Sequence, residues 1–286
     1  MFQAVATKNA SAVEAEVQAA YLSIFPQGNH SFVPQVFRWV TDCFEGKYQN
    51  YLPIDARYHD FEHTMQGTLC MVRLLRCRHA TGAQPLLTQR LFELGLLAIL
   101  MHDTGYLKTS DDAGGTGAKY TVIHVGRSAD FAAQLLSEKN FPAKEISSVQ
   151  HMIRCTGVDT TLGAIPFRTD LEKIVGHALG TADLLGQMAA GDYVEKLPIL
   201  YSEFQEAAEY SGEKSSSVAM FSSAADLMSK TPAFWDNYVK RKLEREFAGV
   251  YKFLNQPYPD GANWYLEKIE ANIAKLRQQL SPVVAK

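Results

Sequence analysis

The stretch YHDFEHTMQGTLCMVRLL, residues 58–75, places two histidines four apart, a carboxylate beside each, and then continues with apolar residues at helical spacing. On a helix, residues four apart share a face, so His59 and His63 are expected to point the same way. A lone pair of this kind serves capping or surface chemistry as readily as metal binding. What the rest of the chain supplies has to decide between them.

The same helical spacing recurs along nearly the whole chain, while alternating patterns bounded by turn residues are scarce. The sequence therefore predicts an all-α fold in a single domain over 1–286. Helices are expected at roughly 11–24, 32–45, 59–78, 86–103, 120–138, 143–155, 169–190, 192–211, 218–229, 232–254 and 261–279. Breakers such as TGAQP near 83, Pro142 in FPAKE and the run NQPYPDGAN separate them. The stretch LKTSDDAGGTGAKY (107–120) reads as the one long flexible loop, on the surface or as a lid over a site at its base. Its GGTG lacks the Lys-Ser/Thr pair of a phosphate-binding Walker loop. The tail SPVVAK is expected to fray.

With 286 residues, 47% of them hydrophobic, the chain can bury one sizeable core. A net charge of −3 gives no overall attraction to nucleic acid or an anionic membrane, so any phosphate recognition must be local. Cys43, Cys70, Cys77 and Cys155 form no CxxC pair, which predicts reduced thiols in a cytoplasmic protein. The N-terminal stretch lacks a basic segment followed by an apolar run, and the longest apolar run, LGLLAILM (94–101), is far too short to cross a bilayer.

The second informative stretch is LFELGLLAILMHDTGY (91–106), an apolar helix that ends in adjacent His102 and Asp103. A carboxylate buried without compensation is very costly, and a metal ion is the most economical partner for the doublet. Two further histidines, His124 and His151, fall inside predicted helices, and Asp183 sits in GHALGTADLLGQM among small and apolar residues. Imidazole and carboxylate suit zinc, manganese, iron or nickel, or magnesium where oxygen and water dominate. Lys108, Lys119 and Arg127 lie close enough in sequence to the doublet to neutralise phosphate oxygens. His30, His79 and His177 lack motif context and are expected at caps or on the surface.

The order His63, His102-Asp103, Asp183 resembles the HD superfamily of metal-dependent phosphohydrolases. YHDFEH is further similar to the YHN..H signature of cyclic-nucleotide phosphodiesterases, with Asp60 in place of Asn, and LGLLAILMHDTG resembles their HD helix. The resemblance runs over about 30–210, leaving a helical C-terminal extension over about 211–280. It implies that His63, His102, Asp103 and Asp183 hold one divalent metal ion, with Asp103 bridging to a second and taking part in catalysis. His124 and His151 match the additional histidines of binuclear members. His59 would protonate the leaving oxygen, its ring oriented by Asp60 or Glu62.

These expectations amount to a divalent-metal phosphohydrolase, most simply a phosphodiesterase cleaving a nucleotide-like phosphoester with metal-activated hydroxide. Its partner would be a small-molecule substrate, with no nucleic acid and no membrane, and a homodimer remains open. Two alternatives stand beside it: a diiron oxygenase on the same scaffold, and a non-catalytic module that binds a nucleotide.

Overall fold

In the computed structural model, which describes residues 2, 4–112, 114–158, 160–212 and 220–280, helix caps set the element boundaries. Ten α-helices form among these residues: α1 (Ala10–Ile24), α2 (Phe32–Phe44), α3 (Phe61–Ala80), α4 (Gln89–Met101), α5 (His124–Glu138), α6 (Ala143–Ile153), α7 (Asp170–Met188), α8 (Tyr193–Ser211), α9 (Ala224–Phe234) and α10 (Trp264–Leu280). The start of α3 is fixed by Asp60, whose carboxylate accepts a hydrogen bond from the His63 backbone N–H at 2.8 Å. This cap corrects one expectation. His59 precedes the helix, and does not share a helical face with His63.

Helix α4 begins at Thr88, whose hydroxyl accepts from the Leu91 N–H at 3.3 Å. Every residue from Phe92 to Met101 is buried, so the helix has no solvent face and must be enclosed by others. Helix α7 is capped by Thr169, which accepts from the Glu172 N–H at 3.1 Å, with Asp170 and Glu172 in its first turn. Helices α3, α4 and α7 all pack against one another. The closest approach is between α3 and α7, where a Cβ added at Gly186 would lie 2.8 Å from the Gln66 carbonyl and the Gly67 nitrogen. Two backbones touch there, and only glycine fits.

Two parts of the chain depart from the expected pattern. The helix expected over 232–254 is broken: α9 is followed by π-helical turns at Trp235–Val239 and Lys242–Glu246 and a 3-10 turn at Val250–Leu254. Ala248 and Gly249, at φ 53° and 66°, stop it. After it come two-residue strands, β1 (Asn255–Gln256) and β2 (Ala262–Asn263), paired antiparallel. The fold is thus mostly helical with one small hairpin. No described helix is long and apolar enough to cross a membrane.

The stretch 107–120 is not a free loop. Glu206 on α8 accepts hydrogen bonds from the Thr116 hydroxyl at 2.6 Å and from its N–H, while Asp55 accepts from the Gly117 N–H at 2.7 Å. The tail SPVVAK lies outside the described residues.

The α3–α7 contact generates a stability prediction. Gly186→Val should cost about 1–3 kcal/mol or more through overpacking against backbone that cannot yield. Gly126→Ala, on an exposed position of α5 with open space around it, should stabilise by roughly 0.5–1 kcal/mol. Urea unfolding of both variants checks the pair. Equal midpoints would show that the backbone contact carries no packing constraint.

Candidate metal centre

The three packed helices bring candidate ligands together, with His63, His102 and Asp103 as the group able to hold a metal ion and Asp183 beside the two histidines. His63 comes from the first turn of α3, His102 and Asp103 from the end of α4, and Asp183 from the C-terminal half of α7. His63, His102 and Asp103 are all buried and form a group able to hold a metal ion. His63 Nε2 lies 3.1 Å from Asp103 Oδ2 and 3.2 Å from Asp183 Oδ1; His102 Nε2 lies 3.3 and 3.4 Å from the same two oxygens. A tetrahedral ion with bonds of about 2.0–2.1 Å needs donor separations of roughly 3.3–3.4 Å. All four observed edges sit close to that value.

The chain turns sharply after the doublet to make this possible. Asp103 leaves the helix at φ −110°, ψ 9°, and Thr104–Tyr106 form a 3-10 turn. The Gly105 N–H donates to the Ser128 hydroxyl at 2.8 Å, and a Cβ at Gly105 would lie 2.1 Å from the His124 carbonyl oxygen. The turn is therefore clamped against α5.

Electrostatics fit a cation. His102 Nδ1 donates to the Ile99 carbonyl at 2.7 Å, which leaves Nε2 as the atom aimed at the carboxylates. That nitrogen and Asp103 Oδ2 are buried without a well-formed hydrogen bond. Burial works against charge on His63, but the Asp103 and Asp183 carboxylates beside it outweigh burial and raise its pKa to about 10. Burial likewise opposes ionisation of Asp103, and the charges of His102 and His63 hold its carboxyl well below the usual range. Two carboxylates and two neutral imidazoles carry −2, the charge that one divalent cation cancels.

Next to this group stands a cluster of three rings. Tyr106 packs against both His59 and His124, with ring centroids 4.5 and 4.7 Å away and interplanar angles of 12° and 22°, and the two imidazole centroids are 6.1 Å apart. His124 Nδ1 donates to the Thr121 carbonyl at 2.6 Å, and its Nε2 faces the second oxygen of Asp103 at 3.8 Å. His59 Nδ1 pairs with Glu203 Oε2 at 2.6 Å. Glu203, on α8, also accepts from the Arg57 and Tyr58 N–H groups at 2.7 Å each. Burial pushes its carboxyl up, yet the His59 charge and these hydrogen bonds bring it below the ordinary value.

Sequence reasoning missed Glu203 and assigned the orienting role to Asp60 or Glu62. Asp60 is the α3 cap, and Glu62 accepts from the Thr7 hydroxyl at 3.1 Å and from Lys196 at 3.3 Å. His151 is not brought to the centre. It meets Glu172 at 3.3 Å near the start of α7, eleven residues or about 16 Å along the axis from Asp183. His177 is buried between Phe167 and Phe247 rather than at the surface.

The three basic candidates have internal partners. Lys108 pairs with Asp55 at 2.8 Å and donates to the Gly115 carbonyl, and Lys119 pairs with Asp112. Arg127 donates to the Gly105 and Leu107 carbonyls at 2.7 and 2.9 Å and lies over the Tyr120 ring. It fastens the turn behind the doublet.

A model of the Npun_R2479-like family matches residues 110–256, about half of the 286-residue chain. The chain belongs to the Npun_R2479-like family. No curated protein and no solved structure matches it. In this Npun_R2479-like chain the matched segment contains His124, Asp183 and Glu203, whereas His63, His102 and Asp103 precede it. The family description names no chemistry, so function has to come from the site.

Two outcomes test the centre. Asp103→Asn should remove at least one equivalent of bound manganese, zinc or iron, read by elemental analysis, because it withdraws one of only two neutralising charges. In metal-free protein near pH 7, His63 holds a proton between two carboxylates, and a metal ion must displace it. His102 is shifted upward as well, by Asp103 and Asp183 against burial, so adding zinc in weak buffer should release at least one proton per ion, and affinity should fall as pH falls. Binding without proton release would place the ion elsewhere.

Proposed function

We propose that the chain is an HD-type metal-dependent phosphohydrolase, with a phosphodiester of nucleotide-like size as the substrate class. The observation that carries this reading is the convergence of His63, His102, Asp103 and Asp183 from three mutually packed helices, with donor separations of 3.1–3.4 Å. These four would hold the ion, and Asp103, whose Oδ1 faces His124, has an oxygen left for a second. A divalent cation at this point would lower the pKa of water and neutralise charge on a phosphoryl group.

The chain's own residues supply the proton chemistry. His59 donates through Nδ1 to Glu203, which leaves Nε2 free, and Tyr106 holds its ring by stacking. His59 is thereby placed to give a proton to a departing oxygen and to exchange it with solvent, to which its side chain is 14% exposed. Burial of His124 lowers its pKa against the pull of Asp103, so it stays neutral.

A diiron oxygenase would use six protein ligands, His63, His102, Asp103, Asp183, His124 and His151. With His151 on Glu172, that full set does not assemble. Manganese-, iron- and zinc-loaded protein should therefore hydrolyse bis(p-nitrophenyl) phosphate or a cyclic nucleotide without oxygen uptake. Substrate-dependent oxygen consumption in place of hydrolysis would overturn the assignment.

A sharper outcome concerns His59. His59→Ala should lower kcat by about 10²- to 10⁴-fold on an alkyl phosphodiester, whose leaving oxygen is basic. On a p-nitrophenyl diester the loss should be far smaller, with metal content retained. Glu203→Gln should show the same pattern more weakly. Equal losses on both substrates would remove His59 from the acid role.

A further inference from the structure

A small cleft opens beside His63, lined by Tyr58, Gln66, Gln187, Tyr193 and Lys196, with room for about one water in its 10 Å³. Its walls divide into two kinds. Tyr58 and Gln187 are committed to the protein: the Tyr58 hydroxyl donates to Gln187 Oε1 at 2.8 Å, and Gln187 Nε2 donates to the Asp183 carbonyl at 3.1 Å and to its Oδ1 at 3.3 Å. They orient the ligand carboxylate. Gln66 and Tyr193 are 8% and 5% exposed and line the same cleft; no hydrogen bond joins their side chains to another described residue, and their polar atoms keep contact with solvent. An amide and a phenol that keep water contact in one small cleft beside the candidate metal centre can exchange that water for a polar group that enters it.

Lys196 adds a charge. It lies 3.3 Å from Glu62 and 3.5 Å from Asp60, seated fully on neither. Every other lysine–carboxylate pair among the described residues is 2.9 Å or closer. The two acids keep its ammonium at the rim without using up its donors, three of which an ammonium carries.

We propose that this cleft is a subsite for one anionic phosphoryl oxygen of the substrate, contacted by Gln66, Tyr193 and Lys196. The inference rests on the hydrolase reading and deepens it by naming specificity-determining residues. The size of the cleft admits a single oxygen and not a ring or a base, so the organic part of the substrate must lie on the opposite side, toward His59. Amide and phenol donors with one ammonium suit an oxyanion; they would leave an apolar group with unpaired polar walls.

The test uses the metal-loaded full chain with inorganic phosphate as probe, read by calorimetry and by competition against bis(p-nitrophenyl) phosphate. Tyr193→Phe and Lys196→Met should each weaken phosphate binding about tenfold and raise KM with little change in kcat. Lys196→Arg should recover part of the loss, and metal stoichiometry should stay at the wild-type value in all three. Unchanged phosphate affinity in Tyr193→Phe and Lys196→Met, with metal and hydrolysis intact, overturns the subsite and leaves the hydrolase reading standing. Tighter binding of acetate than of phosphate overturns the phosphoryl assignment. Wild-type protein that takes up no metal fails the underlying reading, and elemental analysis separates that outcome from the others.

Discussion

Two carboxylates and two imidazoles buried at the meeting point of α3, α4 and α7 set the terms for the rest of the structure. Removing an ion from water costs several kcal/mol even after relaxation, and Asp103 and Asp183 both lose most of their solvent here. Apolar packing around the group offsets that cost. Helix α4 is buried along its whole final run from Phe92 to Met101, each large apolar side chain contributing roughly 1.5–3 kcal/mol. The glycine contact between α3 and α7 then fixes how near His63 and Asp183 can come. A looser crossing would leave the same four side chains without a common point.

The sequence made the residues of this cluster legible because each sits in a local pattern that buries it. An apolar helix ending in His102-Asp103 and an Asp183 among small residues both signal a polar group with nowhere to go but a partner. Helix periods were legible for the same reason, up to the left-handed residues Ala248 and Gly249 that broke the expected 232–254 helix. What stayed hidden depends on distance along the chain. Glu203 is 144 residues from His59, on a helix that also carries Glu195, Glu206 and Glu209, and nothing local marks which acid turns inward. His151 shows the converse failure. A histidine in a helix announces a buried polar group, but only the packing of α6 on the first turn of α7 shows that its partner is Glu172.

Helix α8 ties together parts of the site that sequence keeps apart. Glu203 and Glu206 are three residues apart and therefore neighbours on one face. The first holds the His59 ring and the backbone entering α3; the second holds Thr116 and, through it, the segment that follows the doublet. Lys196, two turns earlier on α8, reaches Asp60 and Glu62 at the start of α3. One helix thus positions the proposed acid, the loop behind the metal ligands and the proposed oxyanion contact.

Tyr106 completes that division by keeping two imidazoles in unlike surroundings. Its ring packs against both His59 and His124, at 4.5 and 4.7 Å between centroids, while those two rings lie 6.1 Å from each other. On one side His59 Nδ1 is hydrogen-bonded to Glu203. On the other, burial keeps His124 neutral, with its free nitrogen toward Asp103. Two groups of the same kind, held by different partners in different surroundings, can take different roles. Under the hydrolytic reading this separation makes His59 the proton donor and leaves His124 available as a ligand. It follows from the stacking and the two hydrogen bonds, not from any difference in the residues themselves.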